Sequence, residues 1–211
     1  MKSKYFFGRI EFMFNSNSTR GFGLLENFLA QKRVKMANKL IPQHLRKGVV
    51  LDIGCGTHPF FLLNTEFNKK YGMDPSLKKI DEYDENIILK SSGIKNGERL
   101  FFDDNSLSVV VMLAVVEHLE PYQLEHTFGE VERVLKKGGR FILTTPCPWS
   151  NSLLKLMSKI LLISKDEIDD HKGNSNYYKM SECLQQVGFK QKKIKKGYFE
   201  FFLNSWTYVD K

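Results

Sequence analysis

The run Ser108-Val109-Val110-Val111-Met112-Leu113 contains no charge and three adjacent β-branched residues. Side chains along a strand alternate between faces, so a run without a polar interruption has no face to offer solvent. It is read as a central parallel strand covered on both sides, which asks for a sheet with helices on both faces. The rest of the chain supplies the parts. Leu24 to Ile41 reads as a helix, with Leu25, Phe28, Leu29, Val34 and Met36 to Leu40 near period 3.6 and Pro42 as its stop. Gly48 to Gly54 reads as a buried strand ending in a glycine turn, Phe60 to Phe67 as a short helix, and Lys70 to Asp74 and Asn86 to Leu89 as two further strands. Tyr122 to Leu135 reads as a helix with Leu124, Phe128, Val131 and Leu135 on one face, ended by Gly138-Gly139 ahead of a strand at Arg140 to Thr145. Ser152 to Ile163 reads as helix, 164–176 as loop, Met180 to Val187 as helix closed by Gly188, and Phe189 to Val209 as two strand-like stretches around Gly197. Strand and helix alternate throughout, which predicts a doubly wound α/β sheet.

The length of 211 residues suits one domain. A content of 42% hydrophobic and 27% charged residues excludes a disordered tail or a fibrous repeat. No apolar run approaches the roughly 18 residues of a membrane helix. Cys55, Cys147 and Cys183 are widely spaced, with no CxxC and no histidines at zinc spacing, so neither a disulfide framework nor a metal site is expected. The expected compartment is the cytoplasm. The stretch Met1 to Arg9 lacks a small-residue cleavage site, and no signal peptide is expected. The net charge of +8 is uneven: residues 1–50 hold ten basic and two acidic residues, whereas 51–211 hold 22 of each. Lys190 to Lys196 adds five lysines in seven positions. Such blocks fit solvated faces, or an acidic partner such as a phosphorylated small molecule, anionic lipid or RNA.

The stretch Val49-Val50-Leu51-Asp52-Ile53-Gly54-Cys55-Gly56-Thr57-His58 carries the chemistry. A strand enters a turn with two glycines, where a ligand is expected to lie against bare backbone. Twenty residues after Gly54, Asp74 ends the next strand, where a carboxylate can accept both hydrogen bonds of a ribose diol. Nicotinamide folds share this pattern, but three features count against them. His58-Pro59 replaces the third glycine, the turn lies about fifty residues into the chain, and Asp52 would repel a pyrophosphate. An acid at that point suits a cation instead. S-adenosylmethionine carries a sulfonium and an amino group and no phosphate.

At these residues the chain resembles the class I S-adenosylmethionine-dependent methyltransferases, in their broad small-molecule and lipid subgroup. The resemblance covers roughly residues 25–190. Its segments are Val50 to Gly56, Gly72 to Ser76, Leu100 to Leu107, Ala114 to Leu119 and Arg133 to Arg140, in order and at ordinary spacing. It implies a Rossmann-like, seven-stranded, mostly parallel sheet with an antiparallel C-terminal strand. It also implies that residues 1–211 form one methyltransferase domain, with 1–23 a basic, aromatic lid and 24–211 the core. The cofactor implied is S-adenosylmethionine, leaving as S-adenosylhomocysteine. By the resemblance, Asp52, Ile53, Gly54, Cys55 and Gly56 line its methionine half, Asp74 holds the ribose, Met73 and Pro75 flank the adenine, and Ala114 to Val116 face the sulfur and the acceptor. Phe102-Asp103-Asp104 is read as a structural turn. Two departures stand out: the absent third glycine, and Ile94 or Lys95 where an acid or amide usually holds the adenine amino group, leaving that role to backbone or Asn96.

Methyl transfer from a sulfonium is an in-line displacement, so the protein's main task is alignment at about 3–3.5 Å. A base is needed where the acceptor must lose a proton. His118, just past the fourth strand, and His171, in the loop after the fifth, are the candidates, with bracing and an exposed loop position as their alternatives. His58 reads as a helix-start residue, and His44 and His126 as surface positions. Tyr5, Phe6, Phe7, Phe12, Phe14 and Phe22, interleaved with Lys2, Lys4 and Arg9, fit a lid or a peripheral lipid contact, beside ordinary packing. The aromatics from Tyr198 to Tyr208 read as final antiparallel strands. The acceptor expected is a small molecule, anionic or lipid- or sugar-linked. The alternatives are an RNA or other nucleic-acid methyltransferase, and a scaffold that binds the cofactor without turnover. The first lacks the Asn/Asp-Pro-Pro-aromatic tetrapeptide, since the chain reads Ala114-Val115-Val116-Glu117 at that place. No particular oligomer is indicated.

Overall fold

The computed structural model describes residues 24–77, 83–93, 98–150 and 175–211. The apolar run forms strand β4 (Leu107–Leu113), in which every residue from Leu107 to Met112 is buried. Val109 and Val111 pack on the face covered by helix α1 (Leu24–Leu40) and the single-turn helix α2 (Phe60–Leu63). Val110 and Met112 pack on the opposite face, beneath α3 (Pro121–Val134) and α4 (Ser175–Gln186). One strand thus feeds two cores, as its lack of polar residues requires.

The remaining strands are β1 (Val49–Ile53), β2 (Lys69–Met73), β3 (Ile87–Lys90), β5 (Leu135–Pro146), β6 (Ile194–Phe199) and β7 (Asn204–Asp210). Their order across the sheet is β3-β2-β1-β4-β5-β7-β6. β7 runs antiparallel to both β5 and β6, and every other pairing is parallel. This is the expected seven-stranded, doubly wound sheet with one reversed C-terminal strand. The strand order reverses between β1 and β4, which opens a crevice at their carboxyl ends.

Several boundaries differ from the sequence reading. α2 stops after one turn because its carbonyls are taken early: Asn64 Nδ2 donates to Phe60 O, the Asn64 amide to Phe61 O, and the buried Lys70 Nζ to Leu62 O. α3, with Pro121 in its first turn, ends at Val134 rather than at Gly138-Gly139, because Leu135 already pairs with Leu107 as a strand. The two glycines lie within the irregular start of β5 instead. Gly188 does close α4: its amide bonds Gln185 O and that of Phe189 bonds Leu184 O. Gly197 does not separate two strands but sits inside β6 opposite Trp206, whose ring lies 2.4 Å from where a Cβ would be. The actual turn is Glu200 to Leu203, with Glu200, Phe201 and Phe202 all at positive φ, and Phe201 is 96% exposed. Ser152 to Ile163, residues 164–174 of the following loop and residues 1–23 lie outside the described residues, while Ser175 and Asn176, expected in that loop, begin α4.

Arg140 fastens α1 to the sheet: it pairs with Asp210, stacks on Tyr208 and donates to the last carbonyl of α1, Leu40 O. Arg133 clamps the segment before β4, donating to Leu100 O, Phe102 O, Asp104 and Glu130. That geometry gives Phe102-Asp103-Asp104 the structural role read from sequence. Among the described residues, no helix is long and apolar enough to cross a membrane.

Candidate functional site

β1 ends at Ile53, and the chain then turns through Gly54 and Gly56, both in the left-handed region at φ 78° and 71°. The turn is folded back onto β2: the amides of Gly54 and Cys55 both donate to Met73 O. Asp74 follows directly and is wholly buried. Its Oδ2 accepts the Gly56 amide at 2.9 Å and its Oδ1 the Ser76 amide at 2.7 Å. Asp74 therefore ties the glycine bend to the end of β2.

Asp52, on β1 itself, is also buried. Burial, and next the charge of Asp74, push its carboxyl up to about 8. Burial and both carboxylates likewise hold the Cys55 thiol protonated. Two acids share this end of the sheet, with no lysine or arginine between Asp52 and Phe67.

One expectation needs correction. Gly54 was read as bare backbone for a ligand, but the place of its absent Cβ is taken by Val115, whose Cγ2 would stand 2.4 Å away. Glycine is required there to let the turns after β1 and β4 pack, and for its positive φ. The turn after β4 is itself unusual: Ala114 adopts φ 57°, uncommon for a residue with a Cβ, while its amide bonds Thr144 O.

The structure thus brings Asp52, Ile53, Gly54, Cys55, Gly56, Met73, Asp74, Ala114 and Val115 to the crevice end of β1, β2 and β4. Pro75 lies exposed at its rim. His118 is half-buried in the single 3-10 turn Val116–His118, its amide bonded to Val115 O. His58 precedes α2, accepting the Phe60 amide through its carbonyl. His44 is exposed, and half-buried His126 contacts Glu98 O. His171 and Ile94 to Asn96 lie outside the described residues.

Sequence reading gave Glu117 no more than a bracing role and missed Arg33 and Glu200. Glu117 is buried, with its carboxyl raised by burial and drawn back by His118, Arg33 and Thr145. Glu200 is raised by burial and drawn back by Arg33, Asn204 and Lys32. No spacing links these positions; only the strand order does.

With this geometry in place, comparison with known proteins is informative. Residues 51–143 match the methyltransferase domain family. An uncharacterised protein of Methanocaldococcus jannaschii is 32% identical over 142 residues, covering 62% of this chain and 59% of the relative. A methyltransferase candidate of Encephalitozoon cuniculi is 29% identical over 133 residues, covering 62% of this chain and 55% of the relative. The chain thus spans somewhat over half the length of these curated relatives. Among solved structures, an S-adenosylmethionine-dependent methyltransferase from Archaeoglobus fulgidus shares the fold with TM-score 0.64 at 19% identity, over 98% of this chain and all of that one. Residues 51–143 are thus similar to a methyltransferase domain, and the solved structure shares the fold. S-adenosylmethionine is the cofactor they imply. The residues present fit it: paired buried carboxylates beside a bend without lysine or arginine suit a ligand whose reactive end is a sulfonium and an ammonium.

Proposed function

We propose that this chain is an enzyme that transfers the methyl group of S-adenosylmethionine to a small-molecule acceptor. The observation that carries the reading is the pair of buried carboxylates, Asp52 and Asp74, at the switch point of the sheet. Asp52, Ile53, Gly54, Cys55 and Gly56 border the methionine half, with Asp52 balancing its positive charge. Asp74 holds the ribose, and Met73 and Pro75 border the adenine. Ala114 and Val115 face the reacting methyl. The cofactor supplies an already activated methyl group. The chain's work is to bind, to align and to keep water out, of which alignment carries the most. His118 takes a proton from the acceptor where one must be lost.

Calorimetry with S-adenosylmethionine tests the reading directly. Binding in the micromolar range is expected, and no heat up to millimolar ligand would overturn it. For the base, His118→Ala should slow methylation of the acceptor by about 10²-fold or more, the range for a positioned proton acceptor; unchanged turnover would leave His118 a brace.

A further inference from the structure

Four buried polar atoms without a hydrogen-bond partner gather at one end of the sheet: Arg33 Nε, Glu117 Oε2, Thr144 Oγ1 and Glu200 Oε1. They arrive from four elements, namely α1, the turn after β4, the end of β5 and the turn between β6 and β7. Glu117 is only 7% exposed. Its side chain bonds Thr145, and the charge of Arg33 reaches both Glu117 and Glu200. A buried carboxylate oxygen with no donor is unfavourable, and natural structures hold few of them unless a ligand or water completes the site. The place is the carboxyl end of β4 and β5, next to Ala114 and Val115.

We propose that Glu117, Glu200 and Arg33 form the acceptor subsite, and that it selects a small nucleophile bearing an N–H or O–H, an amine or a hydroxyl. This inference rests on the methyltransferase reading above. The open oxygens of Glu117 and Glu200 can only accept hydrogen bonds, so they take an ammonium or hydroxyl donor, whereas an ionised carboxylate or phosphate brings them no hydrogen, although Lys32 and His118 also face these carboxylates. Glu117 Oε2 accepts the donor's hydrogen, and Arg33 Nε donates to a further oxygen of the same molecule. Glu117 holds the nucleophile by this hydrogen bond and the proton to be lost goes to His118: an ammonium gives it before attacking as the free amine, and a hydroxyl gives it as the bond forms. In both cases the nucleophile's lone pair bonds the methyl carbon, and the carbon–sulfur bond breaks with its electron pair remaining on sulfur.

The test uses the whole chain saturated with S-adenosylhomocysteine and three probes of equal length: n-butylammonium, n-butanol and n-butyrate. Binding is read by saturation-transfer NMR. At least one donor probe should bind at least about tenfold more tightly than butyrate, the scale of one charge-assisted hydrogen bond. Binding of the ammonium alone assigns an amine acceptor, of butanol alone a hydroxyl, and of both the shared donor chemistry. Glu117→Gln should weaken the donor probe at least about tenfold while leaving S-adenosylhomocysteine affinity within about twofold. Arg33→Met, which makes the subsite more acidic, should tighten n-butylammonium about threefold, an effect no loss of packing would produce. Butyrate binding as tightly as the donors, donor binding unchanged by Glu117→Gln, weaker ammonium binding in Arg33→Met, or no donor binding at tens of millimolar would each overturn the assignment. Failure of S-adenosylhomocysteine itself to bind would instead remove the methyltransferase reading, and this inference with it.

Discussion

The two ends of the crevice are finished to different degrees. On the β1–β2 side, the amides of Gly54, Cys55 and Gly56 and both oxygens of Asp74 are paired within the protein. On the β4–β5–β7 side, four buried polar atoms have no partner. The first side is shaped by the backbone of a single stretch, Asp52 to Ser76. The second is assembled from distant parts of the chain and keeps open valences. A pocket for a constant ligand can be completed by the fold alone, whereas one that must accept and release a reactant holds unsatisfied groups at a cost in stability.

This contrast can be broken or sharpened by substitution. Gly54→Val forces a β-branched residue to φ 78° against Val115, and should cost about 2–5 kcal/mol in a denaturant melt; a near-native midpoint would show that the bend is not the brace described. Asp52 gives the next largest effect. Because its carboxyl rises from 3.8 to about 8 on folding, the folded chain holds a proton that the unfolded chain has released. Stability without cofactor therefore falls as pH climbs through that window, by on the order of 2–4 kcal/mol. Asp52→Asn should flatten the fall, and cofactor binding to the natural protein should strengthen as the same proton leaves. Asp74→Ala should weaken cofactor binding by about 1–3 kcal/mol in calorimetry, and unchanged affinity would show that the ribose lies elsewhere. The smallest effect should have the opposite sign: Glu117→Gln removes a buried charge and should stabilise the chain by about 0.5–2 kcal/mol at pH 8. Destabilisation there would mean that the open oxygen is structural.

The difference between the two sides also explains what could be read in advance. β4 was legible because an uncharged β-branched run has one comfortable place in an α/β sheet, and the glycine bend because its acids and turn lie within one stretch. The ends of α2 and α3 were not legible. They depend on Lys70 reaching back to Leu62 O and on Leu135 pairing with Leu107, contacts made by other strands. Gly197 misled for a similar reason, since it answers to the ring of Trp206 across the ladder rather than to a turn. Arg33 and Glu200 carry no motif, and Arg33 faces Glu117 and Glu200 only after the sheet is ordered, so no local pattern could have named them.

The position of β7 between β5 and β6 has a consequence for biosynthesis. β6 leaves the ribosome before the strand that attaches it to the sheet, and so waits unpaired with both edges open. Its exposed Lys195 and Lys196 are then a safeguard for the nascent chain, keeping a waiting strand hydrated until its anchor emerges.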